Sequence, residues 1–208
     1  MIDTSWLPGL LIGAGYIILI FAYWQYIKIV KNTGSGVIPN PASWAVFSAI
    51  SAGNAIVLWG KISFIIWFFP IIMSLAQILI ARESYKKKRG HLESSDEWAL
   101  GIGLLGVILW ILSKQFDNQD YSWMSVITLV MADSVGFYPT LRDAWQRPYE
   151  DDPITWFVFM LVGILVLLGL WLDPKTNSMD ILYPCYELAL ASSVFFTLII
   201  RRHLAIKL

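Results

Sequence analysis

Arg82-Glu83-Ser84-Tyr85-Lys86-Lys87-Lys88-Arg89-Gly90-His91-Leu92-Glu93-Ser94-Ser95-Asp96-Glu97 is the one long polar run in a chain made otherwise of apolar segments. It divides the 208 residues into two comparable halves and carries five of the fifteen Lys and Arg residues. A cluster of basic residues between apolar segments marks the cytoplasmic side of a membrane, so this run sets the orientation of everything around it.

Hydrophobic residues make up 57% of the chain and charged residues 14%, with a mean hydropathy of +0.63, a balance that reads as an integral membrane protein. The formal net charge is zero, which leaves no basic field for nucleic acid. Cys185 stands alone and excludes an internal disulfide. The amino terminus lacks a basic n-region, and the apolar run behind it is long enough to span, so no cleaved signal peptide is expected.

A span needs roughly 20 mostly apolar residues, and in lipid only a helix satisfies its own backbone. Seven candidates appear: Leu7 to Ile29, Ala42 to Trp59, Ile62 to Ala81, Trp98 to Leu112, Trp123 to Arg142, Ile154 to Leu172 and Met179 to Ile200. The fourth is the shortest. Gly60-Lys61 is so short a link that spans two and three should form a tight antiparallel hairpin. With the central run inside and the amino terminus outside, twelve of the fifteen Lys and Arg residues lie on the cytoplasmic side, leaving Lys61, Lys114 and Lys175 outside. The expectation is an all-α, multi-pass protein of the cell membrane with its carboxyl terminus in the cytoplasm. Trp6, Trp44, Trp59, Trp98, Trp123, Trp145, Trp156 and Trp171 lie near span ends, where an interfacial aromatic belt would put them.

The halves resemble each other. Asn40-Pro41-Ala42-Ser43-Trp44 opens span two as Asp152-Pro153-Ile154-Thr155-Trp156 opens span six. Pro70, in Phe69-Pro70, follows Trp44 by 26 residues, and Pro184, in Tyr183-Pro184, follows Trp156 by 28. Tyr23-Trp24-Gln25-Tyr26-Ile27-Lys28 precedes the first cytoplasmic loop as Tyr138-Pro139-Thr140-Leu141-Arg142 precedes its counterpart. Residues 1–81 would then be one three-helix repeat, 82–122 the polar loop and linking span four, and 123–208 a second, parallel repeat with a basic tail. Parallel repeats related by an axis along the membrane normal are an arrangement of transporters that bind at the midplane.

This three-plus-one-plus-three order, with Gln25, its flanking basic positions and Gly34 and Gly36, resembles the SWEET and PQ-loop superfamily of seven-span membrane proteins. Trp24 replaces the Pro expected before Gln25, and Thr140 follows Pro139 where Gln is expected. The resemblance implies alternating access about a site between the repeats.

Two ionisable residues fall inside spans, where they are costly and point to function. Asp133 lies ten residues into span five, about 15 Å deep, and Glu187 eight residues into span seven, about 12 Å deep. Asn54, Gln77, Trp44 and Trp156 complete the candidate substrate-binding or coupling set, although Asn54 and Gln77 also suit helix-to-helix hydrogen bonding and the two Trp residues suit the belt. Pro70, Pro139 and Pro184 each remove a backbone donor within a span and are candidate hinges. His91 and His203 lie in cytoplasmic segments, so neither a metal cluster nor a nucleophilic catalytic set is expected, and no cofactor. The function expected is a transporter or facilitator of a small polar solute, a sugar, amino acid or vitamin, with proton coupling open. The alternative is a non-transporting subunit packed against partner proteins or pigments. The expected partners are the lipid bilayer and the solute, with a homo-oligomer or larger membrane complex left open.

In a Cys185-free background, a cysteine at Lys61 or Lys175 should react with an impermeant maleimide added to intact cells, and one at Gly90 should not; labelling at Gly90 would overturn the orientation.

Overall fold

The computed structural model describes residues 6–32, 34–37, 39–59, 64–87, 94–116, 119–176 and 178–205. They form seven helices: α1 (Leu7–Lys31), α2 (Pro41–Leu58), α3 (Phe64–Lys87), α4 (Ser94–Gln115), α5 (Gln119–Gln146), α6 (Pro153–Leu172) and α7 (Ser178–Ala205). No strand occurs among the described residues. Leu7–Lys31, Trp123–Gln146, Pro153–Leu172 and Asp180–Leu204 are each long and apolar enough to cross a membrane, while Pro41–Val57 and Glu97–Leu112 are shorter apolar helical stretches.

Helices replace the expected spans one for one, with displaced ends. The central polar run is not one loop: α3 continues through Lys87 and α4 begins at Ser94, because Arg82, Glu83, Lys86 and Lys87 are good helix formers and Lys86 pairs with Glu83 one turn back at 2.7 Å. α5 runs four residues past Arg142, to Gln146, and its last turn is pinned by Arg147, whose Nη2 meets Asp143 at 2.9 Å. The hairpin link Gly60-Lys61 lies outside the described residues.

Helix packing shows the relation between the halves. α1 and α2 each pack on α3, and α5 and α6 each pack on α7, so the third helix of each set lies between its first two. Across the halves, α1 packs on α6 and α2 on α5. Exchanging α1, α2 and α3 for α5, α6 and α7 leaves this pattern unchanged. Only α4 breaks it, packing on α5 and α2 alone.

The main core runs through the first three and last three helices, from Ile12, Leu19 and Tyr26 on α1 to Val194 and Leu198 on α7. α4 adds two small clusters at its own edge of the bundle. In one, Ala99 joins Val46 and Ile50 of α2 and Ala132 of α5; in the other, Trp110 packs on Val57, Val126 and Leu129. Polar side chains join α2 to α3: Ser48 donates to the Ser74 carbonyl at 2.8 Å, Ser74 to the Ser48 carbonyl at 2.9 Å, and Ser51 to Gln77 Oε1 at 2.9 Å. Each such bond in an apolar bundle is worth roughly 0.6 kcal/mol.

Close approach at two interfaces requires glycine. A Cβ on Gly169 of α6 would stand 2.7 Å from Ile12 Cγ1 and 2.9 Å from the Pro8 carbonyl of α1, and one on Gly106 of α4 would stand 2.9 Å from Leu129 Cγ of α5. The Gly169→Ala variant should therefore lose about 1–3 kcal/mol through overpacking, seen as a lowered melting temperature in detergent. Gly13→Ala, where nothing lies within 4 Å, should match or exceed wild type because Ala favours the helix. Equal behaviour of the two variants would mean that α1 and α6 are not this close.

Candidate functional site

The site begins with how two helices start. Asn40 caps α2 by accepting from Ala42 N at 3.0 Å, and Asp152 caps α6 by accepting from Thr155 N at 2.9 Å and Thr155 Oγ1 at 2.6 Å. In each case Pro follows at the first helical position, where its missing N–H costs nothing. The same start places Trp44 and Trp156 in the first turn of each helix, turned inward and only 3% and 5% exposed. Their rings meet with centroids 6.4 Å apart. The belt reading therefore fails for these two, whereas Trp6, Trp59, Trp98, Trp145 and Trp171 are exposed.

A second matched pair also meets. Phe69 of α3 and Tyr183 of α7, each preceding a buried proline, pack edge to face at 6.1 Å, and Tyr16 of α1 stands 5.8 Å from Phe69. Between the two layers lies a cavity of about 30 Å³, room for a few waters at most, lined by Tyr23, Trp44, Phe47, Gln77, Asp133, Phe137, Trp156, Phe159, Glu187 and Leu190. Phe137 bridges the Trp layer, 5.7 Å from Phe47 and 5.8 Å from Trp156.

Besides the Tyr23 hydroxyl and the two Trp indoles, the polar groups of the cavity are one amide and two acids, and no Lys or Arg lines it among the described residues. Gln77 is held on both sides, accepting from Ser51 at 2.9 Å and bonding the Tyr23 hydroxyl. Asp133 faces the hydroxyl of Tyr186, which accepts from Ser134 at 3.3 Å. Glu187 faces the hydroxyl of Tyr183, and its Oε1 is shielded and has no hydrogen-bond partner among the described residues. Tyr183 lies 3.9 Å from the sulfur of Met73, the counterpart of Glu187 in the first half.

Behind the Trp pair, a latch closes one end. Asp151, in the turn before α6, accepts from Tyr26 of α1 at 2.7 Å, from the Trp156 indole at 2.9 Å and from Asp152 N at 2.7 Å. Arg202 of α7 holds the backbone of the same turn, donating to the Asp151 carbonyl at 2.6 Å and the Pro148 carbonyl at 2.9 Å. Beyond Trp44 on this side lies a shallow cleft lined by Pro39, Asn40, Thr140, Asp143, Arg147, Glu150 and Asp151.

Of the residues singled out in the sequence, Asp133, Glu187, Gln77, Trp44 and Trp156 line one cavity. Asn54 does not: it is 1% exposed on α2, with its Nδ2 lacking a partner among the described residues. Pro70, Pro139 and Pro184 are buried inside α3, α5 and α7, each of which continues through its proline. Tyr23, Phe159, Tyr186 and Asp151 were not among the candidate site residues. The first three look in sequence like any lipid-facing aromatic residue, and Asp151 like any loop acid next to Asp152.

Burial pushes the Asp151 carboxyl up to about 6, against the lowering effect of its bonds from Tyr26, Trp156 and Asp152 N. The folded protein then holds a proton there that the unfolded chain, near an ordinary value of about 3.9, releases. This contribution to stability is complete below about pH 4 and is lost as the pH rises through 6. Wild type should therefore gain roughly 1 kcal/mol on Asp151→Asn between pH 7.5 and pH 5, read as a growing difference in apparent melting temperature. A difference that does not change with pH would show that Asp151 is not buried as described.

No protein-family model matches the sequence, and no curated protein or solved structure matches it either.

Proposed function

We propose that the protein is a seven-span membrane transporter or facilitator of a small polar solute, with its amino terminus outside, working by alternating access about the cavity between two parallel three-helix repeats. The observation that carries this reading is the pairing of matched residues on either side of one polar cavity. Trp44 meets Trp156 at one end and Phe69 meets Tyr183 at the other. The space, about 30 Å³, is too small for a solute, so on this reading binding requires one aromatic pair to part. Pro70, Pro139 and Pro184 interrupt the backbone bonding of the three helices that would bend.

The chemistry of the wall narrows the solute. A carboxylate at the centre of a membrane helix costs roughly 2.5–3.5 kcal/mol, and here two share one cavity that no basic side chain lines among the described residues. Their charge is balanced either by protons or by a cation. Aromatic rings attract cations through their faces, and Trp44, Trp156, Phe47, Phe137 and Phe159 surround this space. Among the polar solutes considered, one bearing an amine fits best, and a sugar least. Exchange of that amine for a proton on the acid pair would leave the cavity electrically balanced in both states.

Proteoliposomes should show saturable uptake of an amine-bearing solute that is lost at least tenfold in Asp133→Asn and in Glu187→Gln, with melting temperatures in detergent close to wild type. Asp133→Leu should in addition lower stability. Wild-type uptake in Asp133→Asn across the pH range would sink the site, and absence of uptake for any sugar, amino acid or vitamin in the screen would sink transport itself.

A further inference from the structure

α3 and α4 follow one another in the chain but share no substantial packing, because α4 is docked on α2 and α5. The result is an open groove of about 850 Å³ between α2, α3 and α4, within the roughly 300–1,000 Å³ range of small-molecule sites. Its floor and walls are apolar. Ala42 and Ala45 of α2 contribute only methyl groups, which leaves a slot, while Ile78 and Leu79 of α3 and Leu100 of α4 form the sides.

One end differs from the rest. Arg82 and Lys86, one turn apart on α3, stand with Tyr85 where the apolar wall stops. Arg82 is exposed, within electrostatic reach of Glu83. Lys86 holds Glu83 at 2.7 Å but keeps further donors on its ammonium group. Lys87 is turned away, donating to the Asn32 carbonyl at 2.9 Å, so the groove mouth carries Arg82 and Lys86, with Glu83 offsetting one of the two charges. Tyr85, 62% exposed, has the amphipathic ring that favours the level of lipid headgroups.

We propose that this groove is a binding site for one anionic phospholipid, its acyl chain along the slot between α2 and α3 and its phosphate at Arg82 and Lys86. An apolar channel that ends in the Arg82 guanidinium and the Lys86 ammonium, with one net positive charge left over Glu83, matches the shape and charge of such a lipid. A zwitterionic lipid fits the slot equally but carries its own ammonium to the basic end. Basic pockets between membrane helices select anionic headgroups, each basic residue being worth about fivefold in affinity. The site is separate from the cavity between the repeats and does not depend on transport.

The test is native mass spectrometry of the full chain, purified in detergent and offered phosphatidylglycerol or phosphatidylcholine. Wild type should retain one phosphatidylglycerol in preference to phosphatidylcholine by more than tenfold. Arg82→Gln with Lys86→Gln should remove that preference, while Lys175→Gln, at an exposed turn outside the groove, should keep it. Ala45→Trp, on an exposed face where a large side chain does not disturb the core, should fill the slot and abolish retention of both lipids. Equal retention of the two lipids by wild type, or a preference that survives loss of both basic residues, would overturn the proposal. So would release of phosphatidylglycerol by millimolar inorganic phosphate while Ala45→Trp retains the lipid, since the slot would then hold nothing.

Discussion

Much of the bundle is organised by the need to satisfy one carboxylate. Asp151 stands in the short turn between α5 and α6, and its two oxygens gather Tyr26 from the first half of the chain and the Trp156 indole from the second. Arg202, near the end of α7, fastens the backbone of the same turn. Removing an acid from water without partners costs several kcal/mol, so its position and that of the groups that bond it determine each other. α1, α6 and α7 are thereby tied at one end, and α1 can then lie along α6 closely enough to need glycine at position 169.

The helix contacts of the two halves match, and so do two of their landmark contacts: Trp44 meets Trp156 and Phe69 meets Tyr183. The third matched segment does not: Tyr138 is 58% exposed, on the outside of α5. Symmetry is broken where chemistry enters. Met73 stands where the second half has Glu187, and both face Tyr183, so a single hydroxyl lies between an apolar sulfur and an acid. A cavity with identical halves would have four acids or none.

α4 breaks the symmetry on a larger scale. It is an odd element in an otherwise paired set, and it covers α2 and α5 without covering the far side of α3. The uncovered face combines small apolar residues with the first basic residues of the polar run, so the segment that divides the chain in sequence also forms the rim of a groove in space.

The residues that declare themselves in sequence are those whose meaning is local. Apolar runs of helical length, prolines at helix starts with Asn40 or Asp152 before them, and acids far inside apolar segments each carry a cost or preference set by their immediate neighbours, and these were legible. So was Gln77 as a candidate, since an amide in an apolar helix requires a partner. The partner itself was not legible: that Ser51 and Tyr23 supply it follows from α1, α2 and α3 lying side by side. For the same reason Trp44 and Trp156 could be read as belt residues or core, because an aromatic ring near a span end is compatible with both until the neighbouring helix is placed. Asp151 beside Asp152 shows the limit most clearly. Two adjacent acids are chemically alike in the chain, and only the tertiary structure makes one a helix cap and the other the half-buried centre of a latch, since Tyr26 reaches it from 125 residues away and Arg202 holds its turn from 51 residues away.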